Sequence, residues 1–420
     1  MIITKVLIIG TGGREHAIAK ALSKSVHYIE IYALGGWVNP GIESIGHIDI
    51  LDINSNTTIV EYAQIKEIDI VIIGSENQLA QGLADALNTA GIFCVGPTRE
   101  LAQLETDKVY TRKLLPSQYN PKYRVFDVES YSLDKLKEYL IELDHQYVVK
   151  AVGIRGGKGV KVSDVHLKDI TDTHDWCCKL IEEDGQVLIE ERLFGEEFTL
   201  QAFTDAHSHL VNMPVVKDFK RLGDGDSGPN TGGMGCISFA GGSAPFLTPV
   251  DLATAQQVNQ DILSKLPGYV GVLYGSFIKT SSGVKVIEYN CRFGDPEVIN
   301  VLELLQTDLI DILSAMYNSS LDQLRVRWST DAMITNYVVA PGYPDHPQSS
   351  DLILRSTSHA IFGKIIKVAG VYTQLSGRSV ALWSRGKSVG IAYNKNQLLL
   401  NLVCGDCQYR TDIGKEVSLL

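Results

Sequence analysis

Short apolar runs alternate with helical spacing through the first hundred residues. Lys5–Ile9, Ile29–Ala33, Asp69–Ile73 and Ile92–Val95 read as strands, and Ala17–Ser23 and Leu79–Ala90 as helices between them. Strand–helix alternation of this kind predicts an open parallel sheet, whose ligands sit beyond the carboxyl ends of its strands. The first strand ends in Gly10-Thr-Gly-Gly-Arg-Glu-His16, a turn that offers backbone N–H groups and a helix start to an anion. A dinucleotide fingerprint would need a third glycine where Glu15 stands, so the turn argues for a Rossmann-like fold and against a NAD(P) site.

The pattern then changes. A helix is expected from Leu104 through Leu115, then a strand Tyr147–Lys150, a glycine-rich hairpin Ala151–Val160 carrying Arg155 and Lys158, and a return strand at Lys161 and Val162. The hairpin leads into a strand rather than a helix, so it is no P-loop; a flexible basic hairpin suits a lid over a triphosphate. Strands Gln186–Leu193 and Phe198–Thr204 follow, and turn formers make Asp224–Gly235 a loop. Tyr274–Thr280 and Val284–Asn290 form a hairpin, Val298–Tyr317 a helix, and residues 331–420 a separate α+β piece with strands at Met333–Val339, Ser379–Trp383 and Ser388–Tyr393. The fold class is multidomain α/β and α+β, divided at 1–103, 104–330 and 331–420.

Bulk properties narrow the function. With 420 residues, 45% of them hydrophobic, the chain can bury several cores. A net charge of −11, from 38 basic and 49 acidic side chains, argues against nucleic-acid or anionic-membrane partners. No apolar run reaches the length of a membrane span, and the N-terminal run lacks a signal peptide's cleavage site. Seven cysteines without regular spacing fit reduced thiols in a cytoplasm, and the lone Cys404-Gly-Asp-Cys407 lacks a second pair for zinc.

The chemistry concentrates in Val286-Ile-Glu-Tyr-Asn-Cys-Arg-Phe-Gly-Asp-Pro-Glu297. Strand alternation puts Glu288, Asn290 and Arg292 on one face and Ile287, Tyr289 and Cys291 on the other. A carboxylate and an amide oxygen suit a hard divalent cation, and a guanidinium suits a phosphate. A surface strand with an ion pair is the plainer alternative.

Taken together, these stretches resemble the ATP-grasp enzymes, and within them the phosphoribosylamine–glycine ligase family of purine biosynthesis. The resemblance runs over nearly the whole chain. It is carried by residues 10–17, Lys150 with the Gly-Gly-Lys-Gly hairpin, Glu190-Glu191, Gly-Pro-Asn-Thr-Gly-Gly-Met-Gly (228–235), residues 288–297 and Tyr-Arg-Thr-Asp-Ile-Gly (409–414). It implies a pre-ATP-grasp N-terminal domain, a central ATP-grasp domain with a lid at about 122–192, and a small C-terminal domain. The implied reaction joins glycine to 5-phosphoribosylamine at the expense of ATP, through glycyl phosphate.

The residue roles are likewise what the resemblance implies. Lys108, Lys150 and the hairpin's Gly156, Gly157 and Lys158 meet the ATP phosphates; Glu190, Glu191 and Leu193 frame the adenine; Glu197 bonds the ribose. Glu288 and Asn290 hold Mg²⁺ or Mn²⁺, and Arg292 meets the transferring phosphoryl group. Asp218, Asp295, Glu297 and the loop Pro229, Asn230, Thr231, Gly232, Gly233 and Met234 bind glycine and the ribosylamine. Gly12, Gly13, Arg14, Glu15 and Glu76 complete the substrate site. A monomer or weak homodimer is expected. The chain departs from the family pattern at Trp37, Ser75, Val152, Arg155 and Phe219. A bicarbonate-activating carboxylase, a non-catalytic nucleotide-binding regulator and a dehydrogenase are the rival readings.

Overall fold

The computed structural model describes residues 3–155 and 159–415. Gly156, Gly157 and Lys158 of the expected lid hairpin therefore lie outside the described residues. The N-terminal sheet is five-stranded and wholly parallel, in the spatial order 47–50, 29–35, 4–9, 70–73 and 93–95. Its central strand is apolar without alternation because both faces are covered: Val6, Leu7, Ile8 and Ile9 are all fully buried. The expected helix over 79–90 is two helices, Glu76–Ala80 and Leu83–Thr89, because Gly82 takes a left-handed conformation (φ 76°) between them.

A four-stranded antiparallel sheet follows, ordered 123–127, 186–191, 147–151 and 160–162. Helices Leu133–Glu142 and Ile170–Asp184 cover one face over Phe126, Leu136, Tyr139, Val149, Leu180, Val187 and Ile189. Paired strand residues point the same way, so Tyr123, Val148 and Glu190 share the opposite face, with Lys150 and Leu188 two residues along. On that face Leu188 packs against Val109 and Val152. The expected helix over 104–115 breaks at Asp107, which is extended and accepts from the N–H groups of Val109 and Tyr110; the second helix therefore starts afresh at Lys108.

The largest sheet is antiparallel, with strands in the order 283–290, 271–280, 196–204, 216–218, 235–238, 332–339, 378–386 and 360–362; Leu210–Asn212 also pairs with the third of these. It runs on across position 331, since Gly235–Ser238 pairs directly with Met333–Asn336. A last four-stranded sheet contains 365–368, 371–374, 351–354 and 403–405. Two expectations fail here. Ser388–Tyr393 is not a strand but opens a helix, Val389–Leu400: the Ser388 hydroxyl accepts from Ile391 N–H, and Val389, Ala392, Asn396 and Leu400 are buried at helical spacing. The helix expected over 298–317 divides into Glu297–Leu304 and Leu309–Tyr317, with Asp308 capping the second.

His16 ties the N-terminal sheet to the C-terminal strands. Its Nδ1 accepts from the Phe362 N–H at 2.7 Å, and its ring stacks on Phe362 at 5.6 Å. Nδ1 can accept only when unprotonated, and burial holds the imidazole at a pKa of about 3, well below 6.5, with Lys20 adding to the effect. Between those values the unfolded chain binds a proton that the folded one excludes. Stability is therefore lost as pH falls from 6.5 towards 3, by about 1.4 kcal/mol per pH unit at most. Urea unfolding between pH 7 and 5 should show this slope, and His16→Gln should remove about one proton's worth of it.

Candidate active site

Glu288 lies on the strand Gly283–Asn290, opposite Ser276. Burial alone would push its carboxyl up, but Lys220, Lys150, Lys108 and Arg292 outweigh burial and hold it below the usual range. The charges of four cations thus act on one anion. Asn290, two residues on, places Oδ1 3.4 Å from the Arg292 guanidinium. The expected alternation is wrong by one residue. The strand ends at Asn290, and a β-bulge at Ile287 breaks the register between Ser276 and Phe277. Val286 therefore turns into the core beside Tyr289 and Cys291, whereas Ile287 is only half-buried. Glu288 and Asn290 keep a common face.

Arg292 is held by two carboxylates, Glu105 Oε1 at 3.0 Å and Glu76 Oε2 at 3.4 Å. Glu105 also accepts from the Cys291 N–H at 2.7 Å, which fixes the turn after the strand. Lys150 Nζ lies 2.6 Å from Glu190 Oε2, and Arg112 grips the same carboxylate through two nitrogens, at 2.5 and 3.1 Å. Burial opposes charge on Glu190, but Arg112 and Lys150 win and bring its pKa to about 2. Lys108 Nζ donates to the Gly153 carbonyl at 3.1 Å, and burial lowers its pKa.

Glu197 pairs with Lys220 at 3.1 Å, and Glu191 accepts from the Lys122 N–H at 2.8 Å. A cavity of about 800 Å³ opens beside Glu191, Leu193, Phe194, Tyr123 and Lys285. Glu288, Asn290, Arg292 and Asp218 do not line it, so it adjoins the positions expected around adenine and not the phosphate end.

A second cluster gathers around Asp295. Its Oδ1 accepts from Tyr337 at 2.8 Å and its Oδ2 from Arg378 at 2.9 Å. Arg378 also donates to the carbonyls of Gly232, Gly233 and Asp295, at 2.6, 3.1 and 2.7 Å. One guanidinium from the 378–386 strand thereby joins the 228–235 loop to the start of the helix Glu297–Leu304. The expected loop over 224–235 is partly a strand: Ser227–Asn230 pairs with Arg221–Gly223 and leaves Pro229 and Asn230 exposed, after which the Thr231 hydroxyl donates to Lys220 O and accepts from Gly233 N–H. Met234 is spent on packing: its side chain is fully buried, its N–H bonds Phe219 O and its carbonyl takes the Tyr337 N–H. Glu297 is buried and accepts from the Tyr274 hydroxyl at 2.7 Å.

Asp218 stands apart. Burial, with Glu297 adding to it, raises its pKa well above the usual value, and its buried Oδ1 has no hydrogen-bond partner among the described residues. Such an atom is costly to leave alone and suits a bound ammonium group.

The glycine turn serves the helix it opens. Glu15 folds back so that Oε2 accepts from the Gly12 N–H at 2.7 Å, while Arg14 donates to the Gly74 carbonyl. Gly13 lies against the Tyr337 hydroxyl, with Asp295 beside it. Trp37 donates to Gly363 O at 3.2 Å, and the buried amide nearby belongs to Asn39, which bonds Thr11 O and Phe362 O.

Profiles described as the N domain and the ATP-grasp (A) domain of phosphoribosylglycinamide synthetase match residues 4–105 and 106–298. The phosphoribosylamine–glycine ligase of Methanosarcina barkeri is 41% identical, over 98% of this chain and 96% of its own. The chain belongs to the phosphoribosylamine–glycine ligase family. It is an ADP-forming carbon–nitrogen ligase of purine biosynthesis with the ATP-grasp fold. The Methanobrevibacter smithii ligase is 37% identical, again over 98% of this chain and 96% of its own. The solved ligase of Thermotoga maritima superposes with a TM-score of 0.82 at 26% identity, covering 98% of this chain and all of that one. A biotin carboxylase from Campylobacter jejuni shares the fold, with a TM-score of 0.75 at 13% identity. Among the described residues no helix is long and apolar enough to cross a membrane.

Four residues that the structure brings to these clusters escaped the sequence reading: Glu105, Arg112, Tyr337 and Arg378. Tyr337 and Arg378 carried no signal, whereas Glu105 and Arg112 flank Lys108 at spacings that a helical turn brings near it. The Gly13–Tyr337 contact is directly testable. Gly13→Ala would drive a methyl into the Tyr337 hydroxyl and should cost about 1–3 kcal/mol in thermal unfolding. In a Tyr337→Phe background the loss should shrink; strictly additive losses would contradict the contact.

Proposed function

We propose that the cations around Glu288 receive the ATP triphosphate and that glycine binds beside Asp218. The observation that carries this reading is that Glu288 and Asn290 share one strand face, with the Asn290 amide oxygen 3.4 Å from Arg292, while the charges of Lys108, Lys150, Lys220 and Arg292 together act on Glu288. The donor set fits a hard divalent ion, Mg²⁺ or Mn²⁺. Glu288 is kept anionic, Asn290 offers an amide oxygen on the same face, and phosphate oxygens would complete the shell. Bound there, the ion would offset phosphate charge.

The chain's own groups do the remaining work. Lys108 and Lys150 bind the phosphates, and Glu191 and Leu193 border the adenine. Asp218 Oδ1 accepts from the glycine ammonium, which leaves the glycine carboxylate free to attack. A carboxylate oxygen forms a bond to the γ-phosphorus while the bond to the β–γ bridging oxygen breaks, releasing ADP. Arg292 stabilises the charge that grows on the transferring phosphoryl oxygens. The ribosylamine nitrogen then attacks the carbonyl carbon of glycyl phosphate, phosphate departs, and the nitrogen loses a proton. The ribosylamine lies toward Gly13, Asp295 and the 228–235 loop, which Arg378 holds together.

ADP release should require glycine and 5-phosphoribosylamine together, with bicarbonate unable to replace glycine. Arg292→Lys keeps the charge but not the fork; turnover should fall at least a hundredfold while affinity for a non-hydrolysable ATP analogue stays within about tenfold, or roughly 1.4 kcal/mol. Equal losses of binding and turnover would show that Arg292 anchors the ground-state nucleotide instead.

A further inference from the structure

Arg112 is 3% exposed and its fork is fully engaged. Nε and one terminal nitrogen take both oxygens of Glu190, which is also 3% exposed. The terminal nitrogens also reach the carbonyls of Val286 at 3.2 Å and Ile287 at 2.6 Å. Those carbonyls belong to the β-bulge immediately before Glu288. Strict alternation would put residues 284, 286, 288 and 290 on one face. The bulge shifts the phase, so that Val284 and Val286 enter the core while Glu288 and Asn290 keep the other face. The strand 283–290 is the edge of its sheet, where carbonyls on the open side need a donor, and here one guanidinium serves both.

The second consequence concerns Lys150. It shares Glu190 with Arg112, at 2.6 Å. If Lys150 leaves Glu190 for a phosphate, the buried carboxylate is not stranded, because Arg112 still holds both its oxygens. A buried carboxylate without that second partner would hold the lysine back.

We propose that Arg112 is a positioning residue of the nucleotide–metal site. It clamps the bulge that sets the facing of Glu288 and Asn290, and it neutralises Glu190 so that Lys150 is free to meet phosphate. The proposal rests on the reading that Glu288 and Asn290 hold the divalent ion.

The test is Mn²⁺ binding in the presence of a non-hydrolysable ATP analogue, followed by electron paramagnetic resonance, on the full-length wild type, Arg112→Lys and Glu288→Gln. Arg112→Lys retains one charge but cannot fork. It should weaken Mn²⁺ binding about tenfold or more, the scale seen when a group supporting a metal ligand is lost. It should also lower kcat at least tenfold while KM for glycine stays within twofold. A lower melting temperature with unchanged Mn²⁺ affinity and kcat would mean that Arg112 only supports the fold, and would overturn the proposal. Glu288→Gln separates the two claims. If it leaves Mn²⁺ binding intact, the metal assignment fails and the proposal with it; if it abolishes binding while Arg112→Lys does not, the proposal alone fails. Should Arg112→Lys not fold, the double variant Arg112→Gln/Glu190→Gln removes the buried charges together. It should show the same metal defect, and unchanged metal affinity there would equally overturn the proposal.

Discussion

A carboxylate can strike a triphosphate only where positive charge has been gathered beforehand. In the proposed reading that charge is the set of cations acting on Glu288, and each comes from a different part of the chain. Lys108 starts a helix, Lys150 stands on the four-stranded sheet, Lys220 follows the strand Val216–Asp218, and Arg292 lies past the end of the strand Gly283–Asn290. Held together without anions they would repel one another, and each has a partner that offsets this: Gly153 O for Lys108, Glu190 for Lys150, Glu197 for Lys220, and Glu76 with Glu105 for Arg292. The resting partners are carboxylates or a carbonyl that a phosphate can replace.

The same economy of contacts joins the folding units. Arg112 links the four-stranded sheet to the nine-stranded one, and Arg378 links the 228–235 loop to the turn before the helix Glu297–Leu304. His16 and Asn39 fasten the parallel sheet to Phe362. Each is a largely enclosed polar side chain with at least one bond to backbone, so each fixes the path of a segment and not merely the place of a side chain.

What could be read in advance followed from local rules. The buried strands Thr4–Ile9 and Ile70–Ile73 declare themselves by lacking polar alternation, and the 286–297 stretch by its density of ligand-type groups. The breaks were harder. Asp107, Asp308 and Ser388 interrupt apolar patterns by capping the next helix, a choice that depends on whether the neighbouring backbone has another partner. The Ile287 bulge could not be foreseen, because the side chain that donates to its carbonyls, Arg112, lies more than 170 positions away. Arg378 and Asp295 are likewise 83 positions apart, and nothing around Arg378 marks it as more than a strand residue.

The most direct test is a crystal structure with a non-hydrolysable ATP analogue, glycine and Mg²⁺. The account predicts the ion on Glu288 and the Asn290 amide oxygen at about 2.0–2.1 Å, the terminal phosphate against Arg292, Lys150 moved from Glu190 to phosphate, and the glycine ammonium on Asp218 Oδ1. A nucleotide bound with its terminal phosphate away from Glu288, or a Lys150 still paired with Glu190 beside a bound triphosphate, would contradict it.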